Sequence, residues 1–151
     1  MTKARIILPS LICLLVGIIA GGYLFSKSEP RSFLALNRCE NCANPNELAG
    51  LLASVGVRRL PGLIPFVVLE TDKTIVMKHP FAKERVHYLI IPKKDIKNIG
   101  EISKEDGPYL IDAHAVARAL IEKEKLYRYR LYTNGPGVQH VAYLHFHLIE
   151  R

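Results

Sequence analysis

The sequence predicts an α+β domain with a mainly antiparallel five-stranded sheet, one long helix and one shorter helix, preceded by an N-terminal transmembrane helix. Two observations support the domain: five short β-type runs are separated by turn residues, and residues 107–126 show helical periodicity. Because the long helix follows several strands instead of alternating with them, an antiparallel sheet is favoured over a parallel one. The chain has 151 residues, which suggests a single folded domain.

The N-terminal segment contains an uncharged run from Ile6 to Phe25, about the length that an α-helix needs to cross ~30 Å of hydrocarbon. We therefore predict an anchor or signal segment in residues 1–26. A cleaved signal peptide and a buried helix are the alternatives. The positive charges around the run favour a cytoplasmic N-terminus, so we expect a single-pass protein whose domain lies outside the cytoplasm.

The net charge and its distribution along the chain indicate which kinds of partner the protein can bind. The net charge is +7, but no dense basic tract of the kind found in nucleic-acid-binding proteins is present. We therefore expect no nucleic-acid partner. An anionic small ligand or a phospholipid surface fits a mildly basic domain, although ordinary solubilising charge explains most of it.

The folded domain is predicted at residues 44–151, after a linker at 27–43 that contains Cys39 and Cys42. A first helix from Asn44 to Val57 has apolar residues at helical spacing. The other predicted elements are strands at 65–71, 74–79, 86–94, 129–134 and 143–150 and the long helix at 107–126. The first two strands form a hairpin that turns at residues 72–73.

The last strand, "YLHFHLIE", alternates two kinds of side chain. One face carries the apolar side chains of Leu144, Phe146 and Leu148, and the other carries Tyr143, His145 and His147. The first face is expected to join the core, and the second to face a cleft or solvent. Two histidines two residues apart lie roughly 7 Å from each other, so they can address one ligand or one metal ion.

The stretch "NGPGVQH" directly before this strand contains groups suited to an anion. Asn134 and Gln139 supply amides, and Gly137 permits close approach of the backbone to a phosphate. His87 begins a strand that can lie beside the last one. Histidine is the side chain best suited to act as a neutral nucleophile at phosphorus and to relay protons near pH 7.

Together, "VHYLIIPKKDIKNI" and "NGPGVQHVAYLHFHLI" resemble the histidine-triad (HIT) family of nucleotide hydrolases and transferases. The resemblance runs from about Pro65 to Glu150. It implies a HIT-like fold, a nucleotide or nucleotide-conjugate substrate that is cleaved at its α-phosphate, and no cofactor. Members of the family commonly form homodimers, so a homodimer is a further expectation.

The resemblance also implies a role for each matching residue. His145 would attack the α-phosphorus and form a covalent nucleotidyl-histidine, while His147 and His87 would hold the phosphate and its protons. The remaining expected catalytic and phosphate-binding residues are His140, Asn134, Gly137, Gln139 and Tyr143.

The chain departs from the family pattern in three places. Tyr143 replaces the first histidine of the triad, so either its hydroxyl orients the nucleophile or the site is weakened. His140 replaces a serine or threonine and is either a general acid or a turn residue without a role. The second strand ends in Lys78 and His79, without the carboxylate that contacts ribose in the family.

The Cys-x-x-Cys pair raises the question of a zinc site. Some family members bind zinc through a Cys-x-x-Cys pair and two further ligands, but here those two positions are Asp95 and Tyr143, which are poor ligands, so we predict no metal. Cys39 and Cys42 then form a disulfide or stay free.

The predicted membrane anchor suggests a lipid-linked nucleotide such as CDP-diacylglycerol as the substrate. The alternative to catalysis is a non-catalytic nucleotide- or phosphate-binding module.

Overall fold

The computed structural model describes residues 4–25, 45–59, 62 and 64–150, and the chain divides into two compact units, Met1–Arg38 and Cys39–Arg151. In the first unit, helix α1 (Ala4–Phe25) exposes apolar side chains between Leu11 and Ile19. Among the described residues, no helix is both long and apolar enough to cross a membrane. The predicted anchor is therefore not confirmed.

The second unit is a sheet with two helices. Its elements are α2 (Pro45–Arg59), β1 (Val67–Glu70), β2 (Thr74–Lys78), β3 (His87–Pro92), α3 (Gly107–Glu124), β4 (Tyr129–Tyr132) and β5 (Phe146–Glu150). The strand order is β1-β2-β3-β5-β4, and all neighbours pair antiparallel. The predicted five-stranded antiparallel sheet and both of its helices are confirmed. The linker, Cys39 and Cys42 lie outside the described residues.

The β1–β2 hairpin turns where the sequence predicts it. The hydroxyl of Thr71 accepts hydrogen bonds from the backbone N–H groups of Lys73 and Thr74, at 3.2 and 2.9 Å. The same hydroxyl lies 2.6 Å from the carboxylate of Asp112 on α3. One short polar side chain therefore closes the turn and ties the hairpin to the long helix.

Helix α3 covers one face of the sheet. Its buried positions are Ala113, Val116, Ala117 and Leu120, which recur at the spacing of one helical face. They pack in a cluster with Phe146 and Leu148 of β5. The predicted apolar stripe of α3 is confirmed. It packs against the face of β5 that carries Phe146 and Leu148.

The opposite face of the sheet holds a second, smaller cluster. It joins Val57 of α2 to Ile75 of β2 and to Tyr143, which is 1% exposed. Since Ile75 and its neighbour Val76 belong to different clusters, the alternation of side chains along β2 places apolar groups on both faces.

Strand β5 starts three residues later than predicted, at Phe146 instead of Tyr143. The reason is backbone pairing outside the sheet: the N–H of Tyr143 donates to the carbonyl of Val141, and that of Leu144 donates to the carbonyl of Ile96. Residues 140–143 therefore form a bend, and residues 144 and 145 lead from it into the strand. Both faces of the strand are buried from Phe146 to Ile149, so of the two expected surroundings, a cleft or solvent, open solvent does not apply to His147.

We expect Leu148→Ala to lower the free energy of unfolding by about 3 kcal/mol, because Leu148 is fully buried between α3 and the sheet. The matched control is Ile111→Ala on the exposed side of α3, which should change it by less than about 0.5 kcal/mol. Urea denaturation measures both. Equal unfolding midpoints for the two variants would contradict this description of the core.

Candidate active site

Two histidines meet where β3 pairs with β5. His87 opens β3, and His147 lies opposite Leu89 in the antiparallel register, so both imidazoles project from the same face. The Nε2 atom of His87 lies 3.0 Å from Nδ1 of His147, within hydrogen-bonding distance. The predicted proximity of the third and the last strand is confirmed.

Two further aromatic rings enclose this pair. Tyr132 of β4 lies opposite His147 and stacks on it, with ring centroids 4.9 Å apart and planes 12° apart. His79, one residue beyond β2, stacks on His87 at 4.2 Å and 10°. The ring of His147 therefore packs against Tyr132, and the residue is 8% exposed.

His145 is half-buried beside this pair, and its ring centroid lies 4.9 Å from that of His147. Its Nδ1 atom lies 2.7 Å from the backbone carbonyl oxygen of Tyr143. A carbonyl oxygen only accepts hydrogen bonds, so Nδ1 must carry the proton. In the neutral ring, Nε2 then holds a lone pair.

The site keeps its imidazoles neutral. Burial, and then the neighbouring His145, His87 and His79, lower the pKa of His147 to about 4. Burial is also the largest effect on His145 and His87 and lowers both pKa values below the ordinary value. At pH 7 these rings are uncharged, as a histidine nucleophile requires.

Tyr143 supports His145 through its backbone, and its hydroxyl does not take the role considered for it. The hydroxyl lies 2.9 and 3.0 Å from the carbonyl oxygens of Pro92 and Lys94, so its single proton is used by the backbone. The residue occupies the place of the first histidine in the triad pattern. Its side chain is held by the backbone of β3 and the residues after it, and its own backbone carbonyl orients the imidazole of His145.

Gln139 holds the same carbonyl from the other side. Its amide nitrogen donates to the carbonyl oxygens of Tyr143 and Lys97, at 2.8 and 2.9 Å, and the residue is buried. An amide nitrogen has two hydrogens, and both are used by the backbone. The prediction that this amide donates to a phosphate oxygen is not supported by the geometry, which instead makes Gln139 a support for Tyr143.

Of the other predicted residues, only Asn134 has a contact with the cluster among the described residues. The amide nitrogen of Asn134 is 3.5 Å from Nε2 of His147, a long hydrogen bond. Gly137 lies in an exposed turn, where an added Cβ would meet no atom within 4 Å. His140 is exposed and, within the described residues, makes no hydrogen bond, ion pair or ring contact.

The family described as "Scavenger mRNA decapping enzyme C-term binding" matches residues 65–151, which include all of these histidines. An uncharacterized HIT-like protein of Chlamydia trachomatis is 34% identical over 85 residues, covering 54% of this chain and 77% of the relative. The chain belongs to the histidine-triad family.

Solved structures of histidine-triad proteins share this fold. A HIT family hydrolase from Clostridium thermocellum is 31% identical with a TM-score of 0.57, covering 64% of this chain and 89% of the other. A histidine triad nucleotide-binding protein from Candida albicans is 28% identical with a TM-score of 0.52, covering 62% and 71%. The HIT-like α+β fold is confirmed.

Sequence reasoning missed three residues of this histidine-triad site: His79, Glu84 and Tyr132. The carboxylate of Glu84 lies 3.4 Å from Nδ1 of His87. A signal for His79 was present, since an antiparallel β2–β3 pair brings the end of one strand to the start of the other. The position of Glu84 had no such signal, because it lies in the loop that connects those strands.

Within the described residues, no group of three or more histidine, cysteine, aspartate or glutamate side chains is arranged to hold a metal ion. Cys39 and Cys42 lie outside the described residues, so the choice among zinc, a disulfide and free thiols stays a sequence prediction.

The lowered pKa of His147 makes stability depend on pH. The folded value is about 4 against an ordinary 6.5, so the unfolded chain takes up a proton first as the pH falls. This contribution is complete above pH 6.5 and is lost toward pH 4, by about 3 kcal/mol. Urea denaturation across this range should show the loss. His147→Gln should flatten the slope. An unchanged slope in His147→Gln would contradict the lowered pKa.

We expect Tyr143→Phe to lower the free energy of unfolding by about 1–2 kcal/mol, because two backbone carbonyls lose their buried donor. Tyr127→Phe is the control, since Tyr127 is 92% exposed. Chemical denaturation compares the two variants, and equal stability would show that the tyrosine hydroxyl does not anchor the bend.

Proposed function

We propose that this histidine-triad chain is a nucleotide hydrolase or transferase that acts at an α-phosphate through a covalent nucleotidyl-histidine on His145. The lone pair of Nε2 attacks the α-phosphorus, a P–N bond forms, and the bond to the leaving group breaks with its electron pair. Water then attacks the phosphorus and returns the electron pair to Nε2, which releases a nucleoside monophosphate. A histidine nucleophile thus divides one displacement into two easier ones.

The observation that carries this proposal is the hydrogen bond from Nδ1 of His145 to the carbonyl of Tyr143, at 2.7 Å. It fixes the tautomer, while burial lowers the pKa, so the ring is neutral and Nε2 is the free nucleophilic atom. His147 lies beside it and is in turn within hydrogen-bonding distance of His87 and Asn134, which supports a role of these three side chains in holding the phosphate oxygens and their protons. The family, whose members include the clostridial hydrolase, supports a hydrolase-like domain.

The second candidate is a non-catalytic nucleotide-binding module. Tyr143 in the place of the first triad histidine favours it, because the nucleophile then lacks one imidazole neighbour. The nucleotide-binding protein of Candida albicans shows that a similar fold is known for binding. Both candidates use the same pocket of imidazoles, and they differ only in whether a bond to phosphorus forms.

The proposal includes the N-terminal segment. An uncharged run from Ile6 to Phe25 supports a single-pass membrane anchor with the domain outside the cytoplasm. An anchored domain would meet a lipid-linked nucleotide such as CDP-diacylglycerol at the bilayer surface. Anchoring would also raise the local concentration of the chain and favour the homodimer. Comparison of CDP-diacylglycerol with soluble CDP-glycerol tests this part.

The test of catalysis is His145→Asn in the full chain in detergent micelles, assayed against dinucleotide polyphosphates, nucleoside phosphoramidates and CDP-diacylglycerol. Asparagine keeps an N–H for the carbonyl of Tyr143 but has no Nε2 lone pair. We expect kcat to fall by at least about 10³-fold and the nucleotidyl adduct to vanish from acid-quenched mass spectra. His140→Asn, included in parallel, tests the general-acid role.

The control is His114→Asn, because His114 is exposed on α3, its Nδ1 lies 2.7 Å from the carbonyl oxygen of Leu110, and its ring contacts Phe146 in the α3 cluster and not the other imidazoles. It should keep wild-type activity. Retained turnover in His145→Asn would overturn the covalent mechanism. Nucleotide binding without turnover in both the wild type and His145→Asn would favour the binding module.

A further inference from the structure

Four polar groups form a continuous line through the site, which we call the relay: Asn134, His147, His87 and Glu84. The amide nitrogen of Asn134 lies 3.5 Å from Nε2 of His147, and Nδ1 of His147 lies 3.0 Å from Nε2 of His87. At the far end, Nδ1 of His87 lies 3.4 Å from the carboxylate of Glu84. This Nδ1 is buried and makes no hydrogen bond within the described residues.

The two ends of the relay favour one arrangement of its protons. Hydrogen bonds from backbone N–H groups, its own first, lower the pKa of Glu84, so its carboxylate is ionised at neutral pH and only accepts. The negative charge of Glu84, 3.4 Å from Nδ1 of His87, therefore favours the tautomer with hydrogen on this atom, which leaves Nε2 of His87 to accept from Nδ1 of His147. The free Nε2 of His147 then accepts from the amide of Asn134.

This proton arrangement is unsuited to a bound phosphate. An oxyanion needs a donor, but Nε2 of His147 presents a lone pair. A proton taken from solvent onto Nε2 converts this atom into a donor and gives the His147–His87 pair one positive charge. The charge lies beside other titratable rings: His79 stacks on His87, while His145 and the phenol of Tyr132 contact His147.

We propose that Glu84 is a positioning residue whose carboxylate enables the His87–His147 pair to take up one proton when an anionic phosphate binds at Nε2 of His147. This inference rests on the phosphate site of the proposed function. The neighbouring imidazoles disfavour a positive charge, as the lowered pKa of His147 reflects, and Glu84 is the group in the relay that favours it. Phosphate binding and proton uptake are then linked, since each strengthens the other.

The experiment measures proton uptake by isothermal titration calorimetry with the full chain in detergent, in buffers of different ionisation enthalpy. The probe is adenosine 5′-methylphosphate, a diester whose charge does not titrate near neutral pH and whose methoxide leaves poorly. For the wild type at pH 6, we expect net proton uptake and affinity that weakens as the pH rises.

Glu84→Gln should bind the probe roughly fivefold more weakly and take up less than about half as many protons, because the charge that stabilises the protonated pair is gone. Glu84→Asp keeps the charge and should remain closer to the wild type. Glu122→Gln is the control, since Glu122 pairs with Arg118 on the exposed side of α3.

The outcomes separate the two proposals. Binding by the wild type with the same affinity and proton uptake in Glu84→Gln as in Glu122→Gln would overturn the role of Glu84 alone. A wild type that does not bind the probe would overturn both this role and the proposed phosphate site. Reduced uptake in Glu84→Gln, restored by aspartate, would establish the relay.

Discussion

The carbonyl oxygen of Tyr143 accepts two hydrogen bonds, from Nδ1 of His145 and from the amide of Gln139, and the chemistry of the site depends on this one atom. It selects the tautomer of His145 that leaves Nε2 as a lone pair. The side chain of Tyr143 holds the atom in place, because its hydroxyl bonds to carbonyls at the end of β3 and its ring is buried between the sheet and α2. The bend that precedes β5 thereby supports the imidazole of His145.

Burial supplies the second constraint. An imidazole in a low-dielectric site loses its charge more readily than in water, and several imidazoles together reinforce the effect. His147 shows this most strongly, with stacked Tyr132 on one side and His87 at its Nδ1. The cluster therefore holds neutral rings whose unprotonated nitrogens can act as a nucleophile or as hydrogen-bond acceptors, and it disfavours a positive charge.

The sequence predicts those parts of the fold that depend on local patterns. The stripe on α3 follows helical periodicity, and the β1–β2 hairpin follows its turn residues, so both are located correctly. The start of β5 is missed because the N–H of Leu144 bonds to Ile96, almost fifty positions upstream, and no local pattern records such a partner. The stacking of His79 on His87 depends on strand register, and the contact of Glu84 depends on a loop conformation.

The sequence identifies the histidines that match the triad pattern. The roles of the residues around them follow only from the positions of individual atoms in the structure. The sequence suggests that the hydroxyl of Tyr143 orients His145 in place of the first triad histidine. In the structure, the backbone carbonyl of Tyr143 contacts His145 instead. Gln139 was expected to face a phosphate, yet it supports that carbonyl. In both cases a backbone acceptor competes successfully for a polar side chain, and burial makes that competition decisive because an unpaired buried carbonyl is costly.

The tautomer of His145 is the central claim, and long-range ¹H–¹⁵N correlation spectra of the ¹⁵N-labelled chain at pH 7 measure it directly, with His145→Asn providing the assignment. The expected result is a neutral ring with hydrogen on Nδ1 and a lone pair on Nε2. A ring protonated on Nε2, either alone or as an imidazolium, would contradict the account.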